Sequence, residues 1–262
     1  MKKTDLSIQL VNFNTAEYLM DCLKTISNNL KGSDLSFEIN ILDNNSSDKF
    51  FRDFANLERF ISFLSEIGIR DKTSIYFSDK NLGYGGGHNL LAKKSHNAKF
   101  LLLLNTDILI QEPGAIEKLL CRIKKDESVK VIGPRLYNLK GQTQLWDHGE
   151  SRGVLAKILN ELGLGVCLKR KKESISSWVS GAVFLIRKST FDEIGGFDEN
   201  FFLYKEEEDL CLRIRRQDRK SKILYYPEVS ICHIGSVIAK KSKFFKKSYQ
   251  YFLKKHKFGK RN

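Results

Sequence analysis

The run FLLLLNTD at residues 100–107 decides how the chain folds. Phe100 to Leu104 are all large and apolar with no polar alternation, the pattern of a parallel strand covered on both faces, and the run stops at Asn105-Thr106-Asp107. Toward the N-terminus, Leu6, Ile8 and Leu10 alternate with polar residues and Val11 and Phe13 continue a strand. Asn14-Thr15-Ala16-Glu17 then has the form of a capping box, opening a helix with its apolar face at Leu19, Cys22, Leu23, Ile26 and Leu30. Phe37, Ile39, Ile41 and Leu42 form a second strand that ends in DNNSSD at 43–48. An amphipathic stretch from about 48 to 67, a strand at 74–78 and the Gly-rich NLGYGGGHN of 81–89 follow. On the C-terminal side, Pro113 starts a helix, 129–132 is a strand, and 150–176 is a less regular insertion. Alternating strands and helices predict an α/β fold with a mostly parallel central sheet flanked by helices. Ligands in such sheets sit beyond the carboxyl ends of the strands, where Asp43, the glycines at 83–87 and Asp107 all fall.

A second informative stretch runs from Trp178 to Arg216. Ala182 to Ile186 reads as a buried strand, and Gly195-Gly196 followed by Phe197, Phe201, Phe202 and Tyr204 reads as a tight turn under aromatics. Glu206, Glu207, Glu208 and Asp209 then open a helix. Acids at a helix start are stabilised by the helix dipole, so four solvated carboxylates are one reading. Successive helical residues point about 100° apart, so at most one or two of the four can face a common cleft, where one could be a general base.

Composition limits the function classes. Hydrophobic content of 41% and aromatic content of 11% in 262 residues fit a globular enzyme with a full core. No apolar run reaches the roughly 18 residues that span a bilayer, and the first residues enter a strand pattern instead of a leader core, so a cytoplasmic location is expected. Cysteines at 22, 121, 167, 211 and 232 lack CxxC spacing, so neither a disulfide framework nor a zinc site is expected. The net charge of +14 is concentrated: from Lys240 onward there are ten Lys or Arg and no acid, interleaved with Phe and Tyr. That mixture suits an anionic membrane surface or nucleic acid, and equally a basic helix packed through its aromatics.

Taken in order, the first strand with Asn12-Phe13-Asn14, DNNSSD, NLGYGGGHN, LLLLNTDI, the segment SGA…GGFDENFFLYKEEEDLCLR and ICHIGS resemble the family 2 glycosyltransferases, in particular their rhamnosyltransferase-like branch. The resemblance implies the GT-A (nucleotide-diphospho-sugar transferase) fold and an inverting, metal-dependent transfer of a sugar. The donor would be a dTDP- or UDP-sugar, rhamnose among the candidates, and the acceptor a glycan or lipid-linked glycan in surface polysaccharide synthesis. Glu206 matches the family Glu, Glu207 takes the place of the catalytic Asp that deprotonates the acceptor hydroxyl, and Asp209 matches the second Asp. Lys205 stands where the family has an aromatic residue, and Glu207 is one methylene longer than Asp. Glu206 and Asp209 are expected to orient the helix start and to raise the Glu207 pKa by like-charge repulsion.

On the donor side, the residue matching Asp43 binds the pyrimidine ring, a role a carboxylate fills by accepting the ring N–H. Viewed alone, Asp43 reads as readily as an Asx turn. Asn14, Asn81, Gly83, Gly86 and Asn105 are the other donor-side candidates. The glycines do not satisfy GxGxxG, because His88 stands at the third Gly, so no dinucleotide cofactor is expected. Asp107 matches the family's metal-binding aspartate and His233 its late histidine, with Ser236 placed to donate to a phosphate. Oxygen plus imidazole ligation favours Mn²⁺ over Mg²⁺. On the acceptor side, Trp178 either stacks on a sugar or is a core tryptophan, and Gly181 lies in the adjoining turn. The expected organisation is a sugar-donor half at 1–108, an acceptor and catalytic half at 109–236, and a basic aromatic tail at 237–262 that holds the enzyme on the inner face of the cytoplasmic membrane. The rival reading is a degenerate transferase fold that binds membrane or RNA through that tail.

Overall fold

The computed structural model describes residues 4–150, 171–235 and 243–256. Strand β1 (Thr4–Asn12) leads into helix α1 (Ala16–Leu30), β2 (Phe37–Asp43), α2 (Phe54–Glu66), β3 (Thr73–Phe77), α3 (Gly83–Lys94) and β4 (Ala98–Leu104). The short β5 (Ile108–Leu109), α4 (Ala115–Lys124), β6 (Val129–Tyr137) and β7 (His148–Gly149) follow. Then come β8 (Ser174–Ser176), β9 (Trp178–Val179), β10 (Val183–Arg187), α5 (Lys188–Glu193), α6 (Glu206–Gln217), β11 (Lys222–His233) and α7 (Lys243–His256).

The main sheet has the order β3-β2-β1-β4-β10-β6-β11-β5, with β8 beside β11. Its first four strands are parallel, as the βαβ pattern requires. The parallel character is confined to that half and to the β6–β11 pair, because β10 lies antiparallel between β4 and β6. Antiparallel pairing brings the start of β10 to the carboxyl end of β4, where the Asn105 amide donates to the Ala182 carbonyl at 3.0 Å. The SGA turn therefore reaches the same sheet edge as Asp107.

The 100–104 run behaves as its composition predicts. Phe100, Leu102 and Leu104 pack into the core under α1 and α4, while Leu101 and Leu103 pack into a second core with Phe184, Phe197 and Leu210. Each such buried side chain contributes about 1.5–3 kcal/mol of transfer free energy.

One local expectation is corrected and two segments are defined more closely. The capping box at Asn14–Glu17 does not form: Thr15 is the N-cap without a side-chain bond, and Asn12 Oδ1 accepts from the Thr15 amide and hydroxyl instead. The 48–67 stretch is a 3₁₀ turn at Phe50–Arg52 followed by α2, whose cap is Asp53. Within the Gly-rich segment, Gly83 to Gly87 begin α3. A Cβ on Gly87 would lie 2.9 Å from Val11, so its glycine lets this helix lie close on the sheet.

Candidate active site

At the carboxyl edge of β4, Asp107 leaves the strand just before β5, and β5 pairs antiparallel with the end of β11, setting His233 opposite Ile108. The Ile234 amide also donates to the Asp107 carbonyl at 2.9 Å. These main-chain bonds bring His233 Nε2 to 3.4 Å from Asp107 Oδ1. His233 Nδ1 lies 2.8 Å from Gln144 Oε1, and Gln144 Nε2 donates to the His233 carbonyl at 2.9 Å. An amide oxygen can only accept, so Nδ1 donates to Gln144 and Nε2 is the ring nitrogen turned toward Asp107. Gly235 completes this cradle: a Cβ there would lie 2.5 Å from Asp107 Oδ2 and 2.9 Å from His233 Nε2. A carboxylate, an oriented imidazole and the gap left by a glycine fit a divalent cation with borderline preference such as Mn²⁺. Among the described residues no third His, Cys, Asp or Glu joins them, which leaves positions for phosphate oxygens or water. Asp107 and Gly235 line a cavity of about 430 Å³ together with Val11, Thr15, Tyr18, Asn105 and Thr106. Ser236 lies outside the described residues.

The expected donor-side residues divide. Asn105 lines the cavity. Asp43 is buried, with Oδ1 accepting from Ser46 Oγ at 2.5 Å and from Asn12 Nδ2 at 3.1 Å. Its Oδ2 faces the Ser46 amide at 3.4 Å, so in this structure the carboxylate is engaged within the DNNSSD turn. Asn14, at φ 57°, ties itself to Ser47 through both ends of its amide. Asn81 Oδ1 accepts from the Gly83 amide at 2.9 Å. Gly83 is required by its φ of 71° and because a Cβ would run into the Phe202 carbonyl at 2.1 Å. Gly86 is packed against Leu82 and Glu199. In this structure Asp43, Asn81, Gly83 and Gly86 shape the edge of the cleft from within.

The base side is assembled from three loops. The Tyr84 amide donates to the Phe202 carbonyl at 3.1 Å, and the Tyr84 hydroxyl to the Gly181 carbonyl at 2.6 Å. This joins the start of α3, the SGA turn and the FFLY segment. Tyr84 is close enough to Glu206 and Glu207 that, after burial, those carboxylates add to the upward push on its hydroxyl pKa. The chain then reaches α6 through Tyr204 and Lys205, both left-handed at φ 71° and 73°. Two adjacent non-Gly residues in that region store backbone strain, and strain of this kind clusters at functional sites.

Of the four acids that open α6, Glu206, Glu208 and Asp209 are buried and Glu207 alone keeps part of its surface open. Burial pushes the Glu207 carboxyl up to about 7; Glu208 adds to the rise and Lys205 opposes it. Glu206 is held well above the usual carboxylate range by burial and then by Glu207, and its Oε2 is buried without a partner among the described residues. Glu208 pairs with Lys205. Asp209 does not repel Glu207 as expected. It is fully buried with Arg213 Nε at 2.7 Å, Lys255 Nζ at 2.6 Å and His256 Nε2 at 2.8 Å. Burial alone would raise Asp209, but these partners outweigh it and leave its pKa lowered.

Trp178 is half-buried, its indole laid over Gly149, where a Cβ would lie 2.5 Å from the ring. It packs on the second core, and Gly181 sits against the Tyr84 hydroxyl. Sequence reasoning missed Gln144, Gly235 and Tyr84. Gly235 stood in ICHIGS and Tyr84 in the Gly-rich segment, whereas Gln144 carries no local signal, being 89 residues from the histidine it orients.

The basic helix is also revised. Among the described residues no helix is long and apolar enough to cross a membrane. Phe252 is buried with Phe201 and Leu212, and Phe244 and Phe245 meet Phe202 and Tyr204. Those aromatics pack on the protein and are not available to a bilayer. The exposed face of α7 carries Lys246, Lys247, Gln250 and Lys254.

Comparison with known proteins agrees with this geometry. The mannosyltransferase PcManGT from Pyrobaculum calidifontis, solved with GDP-Man and Mn²⁺, superposes with a TM-score of 0.66 at 11% identity, covering 100% of this chain and 67% of that one. The architecture is thus GT-A-like. The low-salt glycan biosynthesis hexosyltransferase Agl10 of Haloferax volcanii is 28% identical over 219 residues, 82% of this chain and 62% of Agl10. The N-acetylglucosaminyl-diphospho-decaprenol L-rhamnosyltransferase of Mycobacterium tuberculosis is 39% identical over 174 residues, 58% of this chain and 56% of that enzyme. The chain therefore spans roughly three fifths of the length of these two relatives. The profile of glycosyl transferase family 2 matches residues 7–195, and the chain belongs to that family.

Proposed function

We propose that the protein is an inverting glycosyltransferase that moves a hexose or rhamnose from a nucleoside-diphosphate sugar to a hydroxyl of a glycan or lipid-linked glycan. The observation that carries this reading is Glu207: of the four acids opening α6 it alone stays accessible, and its pKa of about 7 suits a general base near neutral pH. Glu207 takes the acceptor proton as the hydroxyl attacks the anomeric carbon opposite the leaving nucleoside diphosphate, and one displacement inverts that centre. Asp107 and His233 would hold Mn²⁺ or Mg²⁺, with Gln144 fixing the imidazole. A bound cation supplies compensation for the negative charge that grows on the diphosphate as the glycosidic bond breaks. Residues 1–108 furnish the sugar-donor half of the cleft, and 109–236 the acceptor and catalytic half. The mycobacterial relative is named for a diphospho-decaprenol acceptor, which supports a lipid-linked acceptor here.

The exposed lysines of α7 support a peripheral contact with an anionic membrane surface, with about 1 kcal/mol for each of Lys246, Lys247 and Lys254. Replacing all three by Gln should then weaken sedimentation with anionic vesicles by about 10²-fold at low salt. Binding that salt does not weaken, or that neutral lipid supports equally, removes the electrostatic contact.

The direct test of the activity is a panel of dTDP-, UDP- and GDP-sugars with Mn²⁺, followed by release of nucleoside diphosphate with and without acceptor glycans. Turnover of any of these donors that Glu207→Gln suppresses is the expected result. No turnover across the panel, together with no nucleotide binding by calorimetry, overturns the proposal in favour of a binding role.

A further inference from the structure

We infer that α7 is a positioning element for the catalytic base, acting through Lys255 and His256 on Asp209. The inference rests on the reading of Glu207 as that base and adds to it residues about fifty positions further along the chain. Asp209 lies two residues after Glu207 on the same helical turn, and it is a buried carboxylate bonded from both sides. Arg213 holds Oδ2 from within α6 and also donates to the carbonyls of Ile194 at 2.9 Å and Gly196 at 2.7 Å, fixing the double-glycine turn. Lys255 and His256 hold Oδ1 from α7.

The protonation pattern at His256 is determined by its neighbours. Nδ1 lies 2.7 Å from Arg216 Nη1, and a guanidinium can only donate, so Nδ1 accepts and Nε2–H donates to Asp209. His256 is a neutral bridge between two points of α6, Asp209 in its first turn and Arg216 in its last. Lys255 reaches further, to Asp198 at 2.7 Å, where the Tyr251 hydroxyl also donates at 3.0 Å.

The rest of α7 grips the segment that leads into Glu207. Ser248 Oγ donates to the Leu203 carbonyl at 2.8 Å, and the rings of Phe245, Tyr249 and Phe252 surround the Lys205 ammonium at 5.5 to 5.8 Å. Lys205 is one of the two strained residues ahead of α6 and the ion-pair partner of Glu208. The contacts of α7 thus fix the backbone on either side of Glu207, which stays half-buried. A base displaced by about 1 Å loses about 10²-fold in rate while the distant binding site is unchanged, so Lys255 and His256 set turnover without touching substrate.

The experiment is steady-state transfer with the full chain carrying His256→Leu, His256→Gln and Lys255→Met, beside Glu207→Gln as reference. His256→Leu should lower kcat by about 10²-fold with the KM for the sugar donor and the calorimetric affinity for nucleoside diphosphate within twofold. His256→Gln, which keeps one acceptor and one donor, should recover most of the rate. If His256→Leu does not fold, Lys255→Met is measured in its place, because it keeps two of the three partners of Asp209. Wild-type kcat in a folded His256→Leu or Lys255→Met protein overturns the inference, and so does nucleotide affinity lost in parallel with kcat. Should Glu207→Gln itself transfer normally, the base assignment fails instead, and the two failures are told apart by that reference.

Discussion

The Asp107–His233 pair and the proposed base are held by different kinds of bond. Asp107 and His233 are placed by main-chain pairing between β5 and β11, with one side-chain amide orienting the imidazole. Glu207 is placed by side chains: a lysine in an aromatic cage on one side of it and a carboxylate with three cationic or imidazole partners on the other. Backbone ladders tolerate substitution of side chains that do not line the cleft. Side-chain assemblies fail when a single buried partner is removed, because the remaining charge is left uncompensated. The metal side should therefore respond to changes at the ligands and at Gln144, which orients one of them, and the base side to changes far from it.

The largest contrast is expected at Asp107. Asp107→Ala should abolish the Mn²⁺-dependent part of nucleoside diphosphate affinity, measured by calorimetry with and without the ion; equal metal dependence in the variant breaks the assignment of the metal side. Next comes Glu207→Gln, which should keep nucleotide affinity and lose transfer by about 10² to 10⁴-fold, the usual contribution of a general base. Loss of affinity and rate together would mean that the two sides are not separable.

A smaller effect is expected from Gln144→Leu, which frees the imidazole without removing a ligand and should weaken metal affinity by about 10 to 100-fold. Titration of nucleotide-bound protein with Mn²⁺ checks it, and an unchanged midpoint means that the Asp107 and His233 pairing needs no orienter.

The smallest effect is a stability difference. The Glu207 carboxyl lies near 7 in the folded protein against an ordinary value of 4.5. A raised folded value means that this group's stabilising contribution is fully present below about pH 4.5 and is lost as the pH rises through about 7. Glu207→Gln should then gain on the wild type by on the order of 1–3 kcal/mol at pH 8 and by little at pH 4.5. Denaturant titrations at the two pH values measure it. Transfer by the wild type should rise with pH through about 7 as the base ionises, and a gain in stability at acid pH instead would contradict the burial of Glu207.

The first half of the fold was legible because one local rule governs it. In the 100–104 run every residue is apolar since both faces are covered, and the strand ends at Asp43 and Asp107 fall at the predicted edge. The antiparallel insertion of β10 was not legible, because the apolar sequence of Val183–Arg187 suits a buried strand of either direction. At the site, the family resemblance pointed to Asp107 and His233, and the structure brings them together. Spacing could not say which of four neighbouring acids stays open, since Glu206, Glu208 and Asp209 are closed off by packing and by partners from other elements. The same limit applied to the aromatics near the C-terminus: Phe244, Phe245 and Phe252 have the composition of a membrane-facing patch, and only tertiary contact shows them turned onto the FFLY segment.

The partnership of Asp209 with Lys255 and His256 also sets an order of events during synthesis. Domains form as the chain emerges, N-terminal elements first. β1 to β4 and their helices can assemble while residues 255 and 256 are still inside the ribosome, and until those two arrive Asp209 has Arg213 as its one partner of the three described. A nascent chain would then carry the parallel half of the sheet before β11 brings His233 to Asp107 and before the base helix has been locked. The proposed base would be held in place only when α7 docks.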